Sequence, residues 1–399
     1  MNQTEETTID ISAPFVTLSS LPIPLDQSQC VIYKHEVLIC GGYLKGDCYS
    51  YHIIKDQYKF ICSYPSDVHL KGHCVIKLIN NNNPDEITLL SFGGGKKHTL
   101  IMKYKSVWDD VNEMKIENKY RNEWIAFTDN HNNQIQIGGD GENYWGARAI
   151  IGGSNNHLLF ITSRPNDIDV YNLNTFEYIK YDTLPANNDI YYHCFVSKAN
   201  CKKIYEMILF CMNTGLFIQY DEDSNRFQFR ELRVFSTISS LCAYSYICIN
   251  DFILFFGGDG DEIRATKEVH KYSMKENKWM KFEQTLPIAF TEGIVILDND
   301  NMFMHIIGGS DGNKLLSTHI KTKVIEWMKE ETEIEKQWIL EETEKIELEK
   351  LKIEINEMKD DLKSKKIKVY FILFFFINLF LSEKKIKKKK NRDKEKLKL

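Results

Sequence analysis

One unit recurs six times along this chain and limits what it can fold into. An apolar strand runs into Gly-Gly or a substitute for it. After a turn comes an aromatic residue, and seven positions later a second. The clearest copy runs from Phe252 through Gly257-Gly258 to Tyr272 and Trp279. The same step recurs as Tyr51/Tyr58, Tyr171/Tyr178 and Tyr220/Phe227, and more weakly as Ile320/Trp327. A unit of about fifty residues made of short strands cannot bury its own faces, and becomes stable only when copies pack around an axis.

The repeats can be laid out in order. Turns marked Leu21-Pro22, Tyr64-Pro65, Leu184-Pro185 and Leu286-Pro287 open several of them, because proline cannot donate to a strand ladder. A second strand then ends at a glycine slot, at 42, 94, 162, 212, 258 and 309. Glycine there permits backbone angles closed to other residues and lets neighbouring backbone come close. Thr162-Ser163 and Cys211-Met212 stand in two of the slots, while Gly138-Gly139 and Gly152-Gly153 fall off the register and read as loop glycines. The interval between the second and third slots is long, and the excess lies in 108–145, with Trp108, Tyr120, Trp124, Tyr144 and Trp145. An insertion of that size and composition is expected on the surface, either in a binding role or packed on the rim. Two segments compete to close the ring: 15–18, ahead of Leu21-Pro22, and 324–328, which contains Trp327.

The chain has 399 residues, 43% of them hydrophobic and 12% aromatic, enough for a packed all-β core. Residues 1–14 are polar and acidic, and are expected to be disordered and not a secretory leader. The net charge of −5 is unevenly spread. Residues 1–329 carry 32 Lys/Arg and 40 Asp/Glu, 330–361 carry 5 and 13, and 362–399 carry 14 and 3. The body is therefore not expected to bind nucleic acid, and only the far tail would seek an anionic surface. Ten cysteines occur without a Cys-x-x-Cys spacing. Cys30, Cys74, Cys194 and Cys242 open the first apolar strand of four repeats, and Cys40 and Cys211 fall at the slots. All are expected to be buried thiols in a reducing compartment.

On the glycine slots, the seven-residue aromatic step and the repeat length, residues 15–329 resemble the kelch-repeat proteins of the galactose-oxidase-like propeller superfamily. The likeness is strongest in repeats one and five; repeats three and four lack the glycines. It implies an all-β fold, a six-bladed propeller of four-stranded antiparallel blades, with loops at one face that bind another protein. The ubiquitin-ligase adaptor role of many such proteins needs a BTB or F-box domain, and neither is expected in about fourteen residues ahead of the first strand. The oxidase of the superfamily holds copper with Tyr and His beside a Tyr–Cys crosslink, and no local signature here positions such a set.

From 330 the composition changes. Glu and Lys dominate 330–368, and Leu348, Leu351, Ile355, Met358 and Leu362 step by three and four, with Ile339, Ile346 and Ile353 forming an offset stripe. A long charged amphipathic helix is expected after the propeller, either pairing as a short coiled coil or lying solvated. Residues 369–381 carry no charge and are flanked by Lys365, Lys366, Lys368, Lys384 and Lys385. Thirteen helical residues reach about 20 Å, short of a roughly 30 Å hydrocarbon core. The segment is a candidate tail anchor that would leave the propeller in the cytosol, with 382–399 a basic disordered end.

No catalytic, cofactor-binding or metal-binding residue is assigned. Gly93-Gly94-Gly95-Lys96-Lys97 lacks the spacing of a phosphate loop and is explained as a glycine slot. His69 and His73-Cys74 might suggest a metal cluster, but His193-Cys194 copies the pair at the matching strand of another repeat, which points to a structural role. Asp259-Gly260-Asp261 and Asp311-Gly312 read as turns. The expected function is a non-enzymatic protein-interaction scaffold, cytoplasmic, with self-association through 330–368 and membrane attachment through 369–381. The alternative is a small-molecule-binding or oxidase-like enzyme using the central pocket. The lining of the channel separates them: convergent His, Tyr or carboxylates near its mouth favour the second, and small apolar linings with polar groups confined to loops favour the first.

Overall fold

The computed structural model describes residues 14–78, 86–109, 121–139, 143–198, 203–260 and 264–364, with side chains of the last segment as far as Met358. The expectations for 1–13, for Tyr120, for the tail anchor 369–381 and for the basic end 382–399 lie outside these residues. The chain divides into two units, the first ending at Ile339 and the second beginning at Leu340.

The first unit is a six-bladed propeller of four-stranded antiparallel sheets. β1 (Phe15–Thr17) comes first in the chain but belongs to the last blade. Blade 1 is β2 (Gln29–Tyr33), β3 (Glu36–Gly42), β4 (Lys45–His52) and β5 (Gln57–Ser63). Blade 2 is β6 (Cys74–Leu78), β7 (Ile87–Gly93), β8 (His98–Tyr104) and the short β9 (Ile125–Ala126). Blade 3 is β10 (Asn143–Gly152), β11 (Leu158–Arg164), β12 (Asp167–Asn172) and β13 (Glu177–Thr183). Blade 4 is β14 (Cys194–Ser197), β15 (Ile204–Cys211), β16 (Thr214–Asp221) and β17 (Arg226–Glu231). Blade 5 is β18 (Ser245–Ile249), β19 (Phe252–Phe256), β20 (Val269–Ser273) and β21 (Lys278–Lys281). Blade 6 takes β22 (Ile294–Leu297), β23 (Phe303–Ile307) and β24 (His319–Lys323) from the end of the ring and β1 from its start. The first strands β2, β6, β10, β14, β18 and β22 touch in a closed cycle around the axis.

Burial follows position in the blade. Second strands lie between neighbouring blades and are covered on both faces, so β3 is buried along its whole length. Outer strands face solvent on one side, and β13 alternates exposed and half-buried residues. The seven-residue aromatic step is a register effect. Tyr51 and Tyr58, Tyr171 and Tyr178, Tyr220 and Phe227, and Tyr272 and Trp279 stand directly opposite each other on third and fourth strands. Their ring centroids lie 4.9 to 5.0 Å apart, a spacing at which cross-strand aromatic pairs attract.

Ring closure, left open by the sequence, is decided by strand pairing. Phe15 pairs with Thr322 and Thr17 with Ile320, so β1 supplies the outer strand of blade 6. Val324–Trp327 forms a 3₁₀ turn instead, which carries Trp327 into the core beside Phe15, Phe256 and Phe282.

The 108–145 segment is more integrated than a free rim loop. It contains β9, the outer strand of blade 2, whose neighbour Trp124 stacks on Tyr64 at 4.6 Å. The Trp108 indole donates to Ser50 Oγ at 2.9 Å, and Ile135 and Ile137 are buried.

α1 (Glu333–Ser364) follows the ring. It opens with a reciprocal cap: Glu335 N donates to Thr332 Oγ1, and Thr332 N donates to Glu335 Oε2. Glu335 also accepts from the backbone of Glu283, which fixes the first turn. In the second unit Leu348, Leu351, Ile353 and Met358 are exposed. Among the described residues no helix is long and apolar enough to cross a membrane.

Candidate functional site at the axial mouth

The entries of the six first strands share one backbone feature. Two residues before β2, β6, β14, β18 and β22, and inside β10 two residues before its continuous pairing resumes at Arg148, the chain turns left-handed: Gln27 (φ 52°), Gly72 (60°), Gly146 (73°), Tyr192 (45°), Ala243 (49°) and Glu292 (55°). Backbone bonds join these positions from blade to blade. Gly146 N donates to Gly72 O at 3.0 Å, and Tyr192 N to Gly146 O, Glu292 N to Ala243 O and Gln27 N to Glu292 O at 2.8 Å each. Four of the six are not glycine, and each such residue stores about 1–3 kcal/mol of strain. That strain is concentrated around one end of the axis.

Side chains from this circle meet over the channel. Blades 1 and 4 are opposite in a six-membered ring, yet Tyr192 Oη donates to Gln27 Oε1 at 2.7 Å. Gln27 Nε2 in turn donates to Glu292 Oε1 at 2.8 Å, and the Trp145 indole donates to Tyr192 Oη. The mouth is thus bridged by a polar chain that crosses the axis.

Two further carboxyls stand beside Glu292. Burial, and after it the Glu292 carboxylate, pushes Asp26 up to about 7; the same two causes push Asp259 up to about 6. Asp26 is 5% exposed and its Oδ1 has no hydrogen-bond partner. On the other flank are cations stacked on aromatics. Lys71 Nζ lies 3.6 Å from the Trp145 ring centroid, and the Arg164 guanidinium 5.4 Å from Trp145 and 4.9 Å from Tyr191. These four side chains are half-buried, so they are ordered but reachable. The strands behind the mouth are mainly apolar, with Arg148 and Lys77 their only charged residues within the described pairing. By the criterion set out for the channel, the lining and the mouth point in different directions: the first strands are apolar, while carboxylates and tyrosine converge in the loops.

Asp26 makes this cluster pH-dependent. Its folded value of about 7 lies above its ordinary 3.8, so the folded chain holds a proton that the unfolded chain releases. That contribution to stability is complete below 3.8 and is lost as pH rises through about 7. Asp26→Asn, which keeps the shape of the protonated form, should therefore raise the unfolding midpoint at pH 8, with the gain shrinking towards pH 5. Thermal melts of both proteins across that range check this; a gap independent of pH would refute it.

Of the residues singled out in the sequence, Asp259 and Trp145 lie at the mouth, and the histidines and the glycine-slot loop fall elsewhere. His73 and His193 are fully buried, and burial pushes His73 down to about 3 and His193 well below its ordinary value. His73 Nε2 faces Cys40 O at 3.1 Å, and His193 Nε2 faces Thr162 Oγ1 at 2.6 Å, so both tie neighbouring blades together; His69 is exposed. Among the described residues no group of three His, Cys, Asp or Glu is arranged to hold a metal ion. Gly95 N donates to His69 O, which ties the glycine-slot loop to the segment ahead of β6. Asp311 closes a turn by accepting from Asn313 N and Lys314 N. The nine described cysteines are free thiols. Cys242 departs from the expected pattern: it lies in the mouth loop, three residues before β18, and its backbone pairs with Asp259.

No protein-family model matches this sequence, and no curated protein matches it. Among solved structures, one titled "Structure of YjhT" superposes with a TM-score of 0.51 at 12% identity, covering 76% of this chain and 95% of that one. At that identity the likeness concerns the fold alone.

Proposed function

We propose that this propeller is a non-enzymatic interaction module of the kelch kind that docks a protein partner on its mouth face. The Lys71–Trp145–Arg164–Tyr191 stack carries this reading. Aromatic and Arg side chains held rigid yet accessible are the usual anchors of protein interfaces. The six-bladed ring supplies the rigidity, and the glycine slots and aromatic pairs support the kelch assignment. The exposed apolar residues of α1 support pairing with a second copy, and the uncharged 369–381 supports a tether that keeps the ring in the cytosol. A second reading, a small-molecule or enzymatic site in the central channel, is favoured by one observation: Asp26, Asp259, Glu292 and Tyr192 converge at the mouth.

One set of affinity purifications tests these readings. The baits are the full chain, the Trp145→Ala/Arg164→Ala double variant, and chains ending at 368 and at 339. The double variant is expected to lose the retained proteins at least tenfold, a loss of about 1.4 kcal/mol or more. The chain ending at 368 should keep them but leave the membrane fraction, and the chain ending at 339 should run as a monomer in light scattering. Unchanged retention by the double variant rules out the mouth-face reading. A small-molecule site would instead show as thermal stabilisation by a low-molecular-weight extract that Glu292→Gln abolishes.

A further inference from the structure

Blade 1 carries three thiols in a single cross-strand row. Cys40 on β3 is paired in register with Cys48 on β4, and Cys48 with Cys62 on β5. Directly opposed residues of an antiparallel sheet project to the same face with Cβ atoms about 4.5–5.5 Å apart, within small adjustment of disulfide geometry. All three sulfurs enter one core cluster at the seam of blades 1 and 2, with Tyr64, Met102 and Trp124. Cys40 and Cys48 are fully buried, while Cys62 keeps 9% exposure and marks the side from which a small reagent arrives.

The three sulfurs are not equivalent. Trp124 Nε1 donates to Cys48 Sγ at 3.3 Å, whereas Cys62 Sγ points its proton at Met102 Sδ, 3.7 Å away, or at Cys48. Burial on its own would push the Cys48 thiol up. Hydrogen bonds from Cys40, Cys62 and Trp124 outweigh it and hold Cys48 well below the ordinary thiol range, while its two neighbours are pushed up. Cys48, whose thiol donates to Gly46 O and whose sulfur accepts from Trp124, is therefore the thiol whose ionised form its neighbours stabilise best on giving up its proton, and the thiolate is the nucleophile.

We propose that this row is an oxidative modification site, in which a hydroperoxide oxidises Cys48 and Cys62 closes a Cys48–Cys62 disulfide between β4 and β5. In the first step the Cys48 sulfur attacks the peroxide. An S–O bond forms, the O–O bond breaks, and the alkoxide or hydroxide leaves with the Cys48 proton as alcohol or water. In the second step the Cys62 sulfur attacks the resulting sulfenic acid. An S–S bond forms, the S–O bond breaks, and hydroxide leaves with the Cys62 proton as water. Two thiols lose two electrons and the peroxide gains them. The site is separate from the mouth and does not depend on the partner reading.

Mass spectrometry of the native full chain tests this without any variant. Trypsin places the three sulfurs in different peptides, 35–45, 46–55 and 60–71. After hydrogen peroxide and alkylation of the remaining thiols, alkylated 46–55 and 60–71 are expected to fall together by about tenfold, replaced by a linked pair lighter by two hydrogens. Cys48→Ser should abolish the link, and Cys62→Ser should leave Cys48 trapped by a sulfenic-acid reagent. The proposal is overturned if both peptides remain alkylated, if 46–55 links to 35–45 instead, or if the link forms only in urea.

Discussion

Gly257→Ala is expected to cost the ring about 3–5 kcal/mol, at the upper end of what a single substitution does. A Cβ at this position would sit 1.9 Å from the carbonyl oxygen of Phe290, and the residue is held at φ +65°. Phe290 lies in the loop leading to blade 6, and that carbonyl also accepts a 2.8 Å hydrogen bond from Gly258 N. The glycine slot of blade 5 is thus pressed against the next blade's backbone, which cannot retreat without breaking the bond. A left-handed alanine adds about 1–2 kcal/mol. Gly308 of blade 6 is in the same situation, with a Cβ that would meet Leu25 O at 2.4 Å. Gly46→Ala is the control: its Cβ would find nothing nearer than 3.5 Å, and its φ is not left-handed. Urea unfolding of the three proteins should shift the midpoint strongly for Gly257→Ala and little for Gly46→Ala. Equal midpoints would refute the argument.

The same slot shows what could be read from the sequence. Gly-Gly pairs were visible because a close backbone approach admits only one residue type, and the aromatic step because a hairpin register fixes it at seven. Those two signals placed the blades. A third signal is also present in the sequence. Tyr51, Tyr220 and Tyr272 each donate to an Asp or Asn five residues on, at a left-handed turn position: Asp56, Asn225 and Asn277. Blade 3 has Phe176 at that position, and the Tyr171 hydroxyl is left without a partner. The mouth was not legible in this way. Its six equivalent positions hold Gln, Gly, Gly, Tyr, Ala and Glu, because they share a backbone angle and a hydrogen bond and no side-chain chemistry. The long 108–145 segment hid the short β9 for a related reason: a two-residue strand leaves no periodicity to detect. Trp145, read there as part of an insertion, belongs to the mouth because β10 starts ahead of it.

Removing residues 1–18 should abolish the closed ring, the largest effect expected of any change outside the slots. β1 is only three residues long, yet it is the strand by which the end of the propeller holds its beginning. Phe15 is 5% exposed and packs on Trp327, itself 1% exposed. Loss of that ring alone costs about 3–5 kcal/mol. Loss of the strand also leaves β24 as a bare edge, with a row of backbone groups ready to pair with another chain. The truncated protein is therefore expected to elute as large aggregates, whereas the full chain does not. Phe15→Ala should lower the unfolding midpoint and keep the ring closed. Val16→Lys should leave both the midpoint and the closure unchanged, since Val16 is 51% exposed and points away from the core. A synthetic peptide covering 12–19, added during refolding, should rescue the truncated chain by pairing with β24, because the bond it restores is strand addition and needs no covalent link. If the truncated chain is monomeric and as stable as the full one, the closure is carried by something other than β1. The 3₁₀ turn at Val324–Trp327 would then be the place to look, because its Trp327 fills the same core cluster as Phe15.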